Sequence, residues 1–308
     1  MKNLWELSGK KNKLSELDEF VRKYKHQIDR GIKEELEKRL AEVKDISPQL
    51  VSVVLAMSEL AAGGKRMRGL LTILGYELAG GKDEKEIVKA AVVMELFHLG
   101  LLIQDDVMDR DELRRGVKTI HVRYPDLHLG EAVANCVGDL TFGWGMEIIS
   151  KLNIQSSKVV AAMSVWGKYF ARVGYGQILD VMKVADQTTL LNILALKSGE
   201  YSCVLPLLMG ATLGGAQAEL LTKLTGYGME LGWVFQLRDD WLADFGESQK
   251  TGKPVGNDRR EGKKTLATMY GREKLEEEIV WHTKRARVEA GEEKMLLALV
   301  EWAGTREN

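Results

Sequence analysis

Apolar residues recur at three- and four-residue steps along nearly the whole chain. Between residues 17 and 40 they form a single stripe separated by charged residues, made of Leu17, Phe20, Val21, Tyr24, Ile28, Ile32, Leu36 and Leu40. This period is typical of an amphipathic α-helix. The same pattern predicts further helices over 48–62, 66–80, 84–110, 130–150, 156–183, 188–200, 203–213, 217–243, 263–288 and 291–302. With four prolines and no alternating strand pattern, the sequence predicts an all-α fold.

Many of the 31 glycines lie inside these apolar helical runs, as in VGDLTFGWGMEI. Glycine lowers helix propensity there, so we expect it to permit close approach between helices or between a helix and a ligand. The one long hydrophilic loop is 244–264, and no interdomain linker or repeat is evident. We therefore expect one domain over residues 1–308.

Charge and cysteine content exclude several classes of function. The net charge is -1, which gives no sign of a nucleic-acid or membrane-surface partner. Cys136 and Cys203 stand apart in apolar sequence, so we expect both to be reduced and buried. The N-terminus lacks the apolar core of a signal peptide. The longest uncharged run, 204–218, is too short to span a membrane. These features predict a soluble, cytoplasmic protein with no transmembrane segment.

Two aspartate pairs end apolar helical runs. In LLIQDDVMDRDELRRG (101–116), Asp105 and Asp109 are four residues apart and share one helical face, whereas Asp106 is rotated by about 100°. In FQLRDDWLAD (235–244), Asp239 and Asp240 repeat this arrangement. Stacked carboxylates with open positions suit Mg²⁺, which prefers oxygen ligands, water and substrate phosphates. The alternative is a pair of solvated acidic helix ends.

Basic residues are placed to complement these acids. Lys65, Arg66 and Arg68 follow a glycine turn at a predicted helix start, which is a ready anion site. Further cations are Arg114, Arg115, Lys197 and Lys253, although a lone lysine is more often a solvated surface residue. Carboxylates and cations around an apolar interior suit a substrate with an anionic head and an apolar tail, such as the diphosphate ester of a hydrocarbon.

With these motifs the chain resembles the trans-isoprenyl diphosphate synthases, which form the polyprenyl synthetase family. Within the family it resembles the short- and medium-chain, geranylgeranyl-type members. The resemblance covers residues 63–266 and rests on several motifs in order: GGKRMR, LLIQDDVMDRDELRRG, VGDL, GQILD, KSGEYS, FQLRDDWLAD and KTGKPVGNDRREGKKTL. It implies a helical bundle around a central apolar cavity. It also implies Mg²⁺-dependent, head-to-tail condensation of isopentenyl diphosphate with an allylic diphosphate, and a homodimer.

The resemblance implies a role for each matching residue. Several magnesium ions would be held by Asp105, Asp109 and Asp239. Isopentenyl diphosphate would be held by Lys65, Arg68, His98 and Arg115. The allylic diphosphate and its developing charge would be held by Arg114, Lys197 and Lys253, with Ser198 and Gln236 near the reacting groups. For His98, a satisfied core histidine is the alternative.

Product length should depend on the residues that line the tail's path before Asp105. Short-chain members often carry an aromatic residue at the position of Gly100 or Leu101, so glycine here is expected to open that layer. Phe97 lies nearly one helical turn deeper, about 5.4 Å, which is roughly one isoprene unit. We expect a C20 product, with C25 or longer as the alternative.

One departure from the family pattern leaves other functions open. The second aspartate motif usually has aspartate at position 243, where this chain has Ala243. This supports a non-catalytic or regulatory subunit as an alternative to an active enzyme. A class I terpene cyclase is the other alternative, but such an enzyme needs no isopentenyl site and hence neither GGKRMR nor Arg115.

Overall fold

The structure is a computed structural model that describes residues 10–183, 186–246 and 266–306, with side chains described from residue 16 onward. Helices dominate these ranges, which confirms the all-α fold predicted from the sequence. The helices are α1 (Lys10–Lys44), α2 (Pro48–Ala61), α3 (Met67–Leu78), α4 (Glu84–Asp109), α5 (Leu127–Ser150), α6 (Ser156–Val181), α7 (Gln187–Leu194), α8 (Leu205–Gly214), α9 (Ala218–Phe245), α10 (Leu266–Ala290) and α11 (Lys294–Thr305).

Local sequence explains where several of these helices begin. The side chain of Ser47 accepts a hydrogen bond from the backbone N–H of Gln49 and caps α2. Asp83, Asp126 and Asp186 cap α4, α5 and α7 in the same way. A side-chain oxygen at this position satisfies a backbone donor that has no partner inside the helix.

The core is centred on α4, whose residues from Ala90 to Phe97 are buried. Most of the other helices, among them α1, α2, α3, α5, α6, α8, α9 and α11, contribute residues to the same large apolar cluster. A smaller cluster joins α9 to α10 and includes Leu237, Leu275 and Ile279. In the ranges that the structure describes, no helix is both long enough and apolar enough to cross a membrane.

Glycine permits the closest helix contact, between α3 and α8. A Cβ atom on Gly210 would lie 1.8 Å from the carbonyl oxygen of Thr72, and one on Gly75 would lie 2.1 Å from that of Leu207. The two backbones could not approach this closely with any side chain at either position. The expectation that internal glycines serve close packing is confirmed here.

The structure departs from the predictions at three places. A two-stranded hairpin, β1 (Leu113–Arg114) and β2 (Val117–Lys118), follows α4, because four residues are too few to show an alternating pattern. The chain between α7 and α8 is a π-helical segment (Ala195–Val204), where we expected a break between two helices. Cys203 is buried as expected, but Cys136 is exposed because it lies on the outer face of α5.

Candidate active site

The first acidic group lies at the C-terminal end of α4. Asp105 lines a cavity of about 730 Å³ between α4, α6 and the π-helical segment. Its Oδ1 accepts a hydrogen bond of 2.7 Å from Gln177 on α6. Nζ of Lys197 lies 3.8 Å from the same oxygen and 2.6 Å from Oδ2 of Asp180. Asp105 therefore faces the cavity and is held among polar groups from two neighbouring elements.

Asp106 turns away from Asp105 and is fully buried. Its Oδ1 accepts hydrogen bonds from Arg114, with Nε at 2.6 Å and Nη2 at 2.5 Å. Burial raises the pKa of Asp106, whereas the Arg114 guanidinium opposes that rise. The expected rotation of Asp106 is thus confirmed, and its visible role is to hold Arg114. Asp109, four residues after Asp105, is exposed at the last position of α4.

The hairpin aims Arg115 at the glycine turn before α3. Arg115 and Gly116 form its two-residue turn with φ angles of 53° and 79°, the left-handed pair that a type I′ turn requires. The Arg115 guanidinium donates to the backbone carbonyls of Leu60, Ala62 and Gly63 at 3.3 to 3.4 Å. Burial lowers the pKa of Arg115, and the nearby Arg66 and Arg114 lower it further.

Arg66 shapes the turn that presents Lys65 and Arg68. It is buried, adopts a φ of 56°, and pairs through Nε with Asp29 at 2.6 Å. Its Nη1 lies 3.7 Å from the buried carboxylate of Glu95, which also accepts the backbone N–H of Gly69 at 2.9 Å. Because Arg66 is committed to these contacts, its role is to hold the turn.

Lys65, Arg68 and Arg115 line a second cavity of about 390 Å³. This cavity and the larger one share five lining residues: Arg68, His98, Ser198, Ser202 and Gln236. The two chambers therefore adjoin. One is lined by several cations, and the other has a mainly apolar wall that includes Leu101, Phe170 and Ile178.

The π-helical segment carries polar groups that face both chambers. Ser202 accepts a 2.6 Å hydrogen bond from Arg68 Nη2 and donates one of 2.9 Å to the carbonyl of Lys197. The Arg68 guanidinium stacks 4.4 Å above the ring of Tyr201. π-Helical turns often mark functional sites because they displace side chains from their α-helical positions. Here the segment places Ser198 and Ser202 in the lining of both chambers and Lys197 in the lining of the larger one.

His98 lies between the cations and the core. Its Nδ1 is 3.0 Å from the hydroxyl of Tyr201. Burial, together with the positive charges of Arg68 and Arg115, lowers its pKa well below the usual value. The ring is therefore neutral near pH 7 and can donate or accept a single hydrogen bond at each nitrogen. Both chambers include His98 in their linings, which favours the ligand interpretation over a core histidine.

The second acidic group lies on α9. Oδ1 of Asp239 is 2.6 Å from Nη2 of Arg306, which follows α11. Gln236 accepts a 2.8 Å hydrogen bond from Ser198 and donates one of 2.9 Å to Asp240. Ala243 is exposed one turn after Asp239 and adds no carboxylate. Lys253, which was predicted to bind the allylic diphosphate, lies outside the described residues.

A magnesium ion would need ligands from the substrate at this site. Among the described residues, no three histidine, cysteine, aspartate or glutamate side chains come close enough to hold an ion by themselves. Asp105 and Asp239 each lie beside a basic side chain, Lys197 and Arg306 respectively. Mg²⁺ commonly takes one or two carboxylates and completes its shell with water and phosphate oxygens. The donor set therefore fits ions that arrive with a diphosphate.

The residues predicted to set product length differ in their placement. Leu101 lines the larger cavity. Phe97 is fully buried behind the wall, with ring centroids 5.2 Å from Phe170 and 5.7 Å from Tyr201. A Cβ on Gly100 would lie 2.0 Å from Thr141 Oγ1 on α5. Contrary to our expectation, glycine at this position opens no layer of the cavity, because α5 fills that space.

Residues 52–299 match the polyprenyl synthetase family. The chain belongs to this family. The geranylgeranyl diphosphate synthase of Methanosarcina mazei is 37% identical over 218 residues, which cover 69% of this chain and 65% of that protein. The geranylfarnesyl diphosphate synthase of Aeropyrum pernix is 35% identical over 219 residues, 68% of this chain and 67% of that one.

A solved structure supports the same fold. The crystal structure of geranylgeranyl pyrophosphate synthase from Corynebacterium glutamicum, complexed with isoprenyl diphosphate and magnesium, superposes with a TM-score of 0.82 at 22% identity. The match covers 93% of this chain and 99% of that one. The isoprenyl-synthase helical bundle expected from the resemblance is thus confirmed.

Sequence reasoning missed several groups of this polyprenyl synthetase. Glu95 holds the turn before α3, Tyr201 contacts both His98 and Arg68, and Arg306 reaches Asp239 from the end of the chain. Glu95 precedes His98 by three residues on α4, so their shared helical face was a usable signal. Arg306 gave no such signal, because its contact depends on how α11 packs against α9.

Proposed function

We propose that this protein is a Mg²⁺-dependent trans-prenyltransferase that condenses isopentenyl diphosphate with an allylic diphosphate. The observation that carries the proposal is the pair of adjoining chambers, one cationic and one largely apolar. Such a pair can hold two anionic heads near each other while an apolar tail extends away from them. The names of the Methanosarcina mazei and Aeropyrum pernix relatives, geranylgeranyl and geranylfarnesyl diphosphate synthase, support the same activity.

In this proposal the smaller cavity binds the diphosphate of isopentenyl diphosphate through Lys65, Arg68 and Arg115. His98 supplies a neutral hydrogen-bonding group beside them. The allylic diphosphate lies near Asp105 and Asp239, with its hydrocarbon in the larger cavity. Bound Mg²⁺ would supply electrophilic stabilisation of the leaving diphosphate. The carboxylates of Asp105, Asp109 and Asp239 are the groups that would hold the ions.

The reaction begins when the allylic carbon–oxygen bond breaks and its electron pair leaves with the diphosphate. Lys197 and Arg114 stabilise the charge that develops there, since fixed cations in a partly dry site need little reorganisation. The double bond of isopentenyl diphosphate then attacks the allylic cation. A proton leaves the new chain, and the departing diphosphate is the base we assign. The apolar wall excludes water, which would otherwise trap the cation.

We propose a C20 product, with C25 as the longer limit. The larger cavity, at about 730 Å³, lies within the range of roughly 300–1,000 Å³ that is usual for sites that bury extended small molecules. The names of the Methanosarcina mazei and Aeropyrum pernix relatives correspond to C20 and C25 products, which supports this range.

The test is incubation of the purified protein with Mg²⁺, labelled isopentenyl diphosphate and, in parallel, C5, C10 and C15 allylic diphosphates. Chromatography of the dephosphorylated products should give a discrete C20 or C25 alcohol. Omission of Mg²⁺ should abolish it. Absence of product from every starter would overturn the proposal and make the regulatory-subunit alternative, with Ala243 as its cause, the better one.

A pair of variants tests the length assignment. Leu101→Phe places an aromatic ring in the wall of the larger cavity and should shorten the main product by at least one isoprene unit. Phe97→Ala should lengthen it if the tail reaches the aromatic layer behind Phe170. Leu99→Phe is the matched control, since Leu99 is on the same helix but is absent from that lining. An unchanged product from Leu101→Phe would place the length-setting wall elsewhere.

We also propose that a second copy of this chain covers the outer faces of α5 and α6. Leu140 and Met146 on α5 and Val160 and Tyr175 on α6 are between 42% and 65% exposed. Gly143 and Gly167 are on the same helices, and a Cβ atom at either would meet nothing within 4 Å. Exposed apolar and small residues of this kind are typical of homodimer interfaces.

Light scattering after size-exclusion chromatography tests the dimer. The wild-type protein should elute as a dimer, and Leu140→Arg should shift it towards a monomer. Val288→Arg is the matched control, because Val288 is 80% exposed on α10, away from these helices. A monomeric wild-type protein at micromolar concentration would reject this interface.

A further inference from the structure

Tyr201, on the π-helical segment, contacts groups that belong to both chambers. Its side chain is buried, and its ring packs edge-on against Phe97 with the centroids 5.7 Å apart. The Arg68 guanidinium stacks on the same ring, and the Tyr201 hydroxyl lies 3.0 Å from Nδ1 of His98. Arg68 and His98 line both cavities, whereas Tyr201 lines the larger one alone. Tyr201 therefore joins the wall of the apolar chamber to groups of the cationic one.

The hydrogen bond between Tyr201 and His98 can run in either direction. The His98 ring is neutral near pH 7, because burial and nearby arginines lower its pKa, so it carries one N–H. If the proton is on Nδ1, that nitrogen donates to the Tyr201 oxygen and Nε2 is a bare acceptor. If the proton is on Nε2, the Tyr201 hydroxyl donates to Nδ1 and Nε2 is a donor. The hydrogen bond at one ring nitrogen thus decides what the other can do.

The surroundings of the hydroxyl favour donation by Tyr201. Burial raises the pKa of Tyr201 to about 12, so the hydroxyl keeps its proton. Among the described residues, His98 is the one hydrogen-bond partner of that hydroxyl. Buried donors in native structures are nearly always paired. The hydroxyl proton is therefore satisfied within the described residues only when it points at Nδ1, which leaves the His98 proton on Nε2.

The charge of the smaller cavity favours the same arrangement. Its basic lining residues are Lys65, Arg68, Arg115 and Arg306. A cavity of this charge suits an anion, and an ionised diphosphate oxygen accepts hydrogen bonds but donates none. A bare Nε2 would repel such an oxygen, whereas Nε2–H would donate to it. In the part of the chain that the structure describes, the one hydrogen bond of the His98 ring is at Nδ1, so Nε2 is available to a ligand.

We propose that Tyr201 is a positioning residue for isopentenyl diphosphate. By donating to Nδ1 it holds His98 in the Nε2–H tautomer, in which Nε2 donates to the diphosphate. The inference rests on the proposed function, because that function supplies the ligand of the smaller cavity. It has a consequence that a residue of the apolar wall would not otherwise have. Loss of the Tyr201 hydroxyl from the larger chamber should weaken the substrate of the smaller chamber and spare the allylic substrate.

Nitrogen-15 NMR of the histidine-labelled full chain tests the tautomer without substrate. Long-range proton–nitrogen correlations distinguish a protonated ring nitrogen from a bare one, and His98→Gln identifies the His98 signals among those of the five histidines. At pH 7 the wild type should show Nε2 protonated and Nδ1 bare. Tyr201→Phe should show a mixture of both tautomers. A proton on Nδ1 in the wild type, or an unchanged pattern in Tyr201→Phe, overturns the inference.

Calorimetry and steady-state kinetics test the consequence for binding. Tyr201→Phe keeps the ring that Arg68 stacks on and lacks only the hydroxyl. It should bind isopentenyl diphosphate about 5- to 20-fold more weakly, and raise KM for that substrate equally, because a hydrogen bond to a charged group loses its geometry. The kcat value and KM for a C15 allylic diphosphate should change by less than about twofold, since the lost contact is a ground-state one. Product length should be unchanged.

Two further variants separate positioning from structural damage. Tyr227→Phe is the matched control, because Tyr227 is fully buried, donates one hydrogen bond of 2.7 Å to the carbonyl of Leu296 and lines neither cavity. It should lower the free energy of unfolding and leave KM unchanged. In His98→Leu, which has no ring nitrogen, adding Tyr201→Phe should cause no further loss of affinity.

Additive losses in that double variant, or a weakened allylic substrate or altered product length in Tyr201→Phe, overturn the inference. Failure of the wild-type protein to bind isopentenyl diphosphate, with His98 in the Nε2–H tautomer, would instead reject the proposed function.

Discussion

The ends of α4 and α9 carry the same aspartate pair but hold it differently. On α4, Asp105 faces the cavity beside Lys197, and the buried Asp106 carries a strong ion pair with Arg114. On α9, Asp239 pairs with Arg306 from the segment after α11, and Asp240 accepts a hydrogen bond from the amide of Gln236.

The difference shows that the same aspartate pair can be held by different partners at the two helix ends. In both pairs the first aspartate lies beside a basic side chain, and the second is tied into the structure. At α4 the tie is an ion pair that also positions the hairpin. At α9 the tie includes a hydrogen bond from Gln236, whose side-chain oxygen in turn accepts one from Ser198. The counter-charge of the first aspartate comes from the π-helical segment at α4 and from the segment after α11 at α9.

The largest effect should come from the two leading aspartates. Asp105→Asn and Asp239→Asn should each lower the single-turnover rate by about 10²- to 10³-fold, because each removes a carboxylate charge that we propose holds the metal ions of the leaving group. Their effects on isopentenyl diphosphate should differ. Only Asp239→Asn releases Arg306 from its counter-ion, so only this variant should bind that substrate more tightly. Quenched-flow rates and calorimetric affinities measure the two effects.

Asp18→Asn serves as the control for both variants, because Asp18 is exposed on α1. It should retain wild-type turnover and affinity. If Asp105→Asn kept more than about a tenth of the wild-type rate, the α4 carboxylate would have no part in ionisation. If both variants changed substrate affinity equally, the comparison between the two helix ends would fail.

The second aspartates should differ in stability. Asp106→Ala leaves Arg114 without its buried partner and should cost about 3 kcal/mol of unfolding free energy, the lower end for such pairs, because Arg114 is 23% exposed. Asp240 is only partly buried, so Asp240→Ala should cost less, about 1 to 2 kcal/mol. Urea denaturation of both variants measures the difference. Equal losses would show that Asp106 and Asp240 contribute equally to the free energy of unfolding.

Much of the helical scaffold was readable in the sequence, because each helix must bury one face. The stripe from Leu17 to Leu40 lies within α1, and the predicted range 84–110 agrees with α4 to within one residue. The hairpin was missed because four strand residues carry no period. The π-helical segment was missed because its apolar positions are equally compatible with two separate α-helices. Packing against α9 decides between one π-helical segment and two α-helices.

The site could be predicted where its groups share one helix or one turn. Asp105 and Asp106 diverge as their 100° rotation requires, and the glycine turn carries Lys65 and Arg68 into one cavity. Contacts between distant segments could not be predicted. Gly100 is an example: the sequence shows a missing side chain, but only the position of α5 shows which neighbour fills the space.

Acid should affect the α4 region through His98. Burial and nearby arginines lower its pKa in the folded protein, so the unfolded chain takes up this proton first. The stabilisation is fully present above the unfolded pKa of about 6.5, and it is lost as pH falls, by up to about 1.4 kcal/mol per pH unit.

Denaturation of the wild type and His98→Gln at pH 7, 6 and 5 measures this contribution. The variant should lose less stability between pH 6 and pH 5 than the wild type. Identical slopes for the wild type and His98→Gln would mean that His98 takes up its proton equally in the folded and unfolded states.

The smallest effect tests the missing carboxylate of α9. Ala243 is exposed one turn after Asp239, so Ala243→Asp adds a charge to the face that lacks one. An exposed charge contributes up to about 1 kcal/mol, so the Mg²⁺ concentration for half-maximal rate should fall about two- to fivefold. Ala243→Asn, which has the same shape as Ala243→Asp without the charge, should leave this Mg²⁺ concentration unchanged.

A large gain in maximal rate from Ala243→Asp, with little change in the Mg²⁺ requirement, would show instead that the wild-type chain is catalytically impaired at this position. In that case the lack of a carboxylate at position 243 on α9, and not the Asp105 end of α4, would limit turnover.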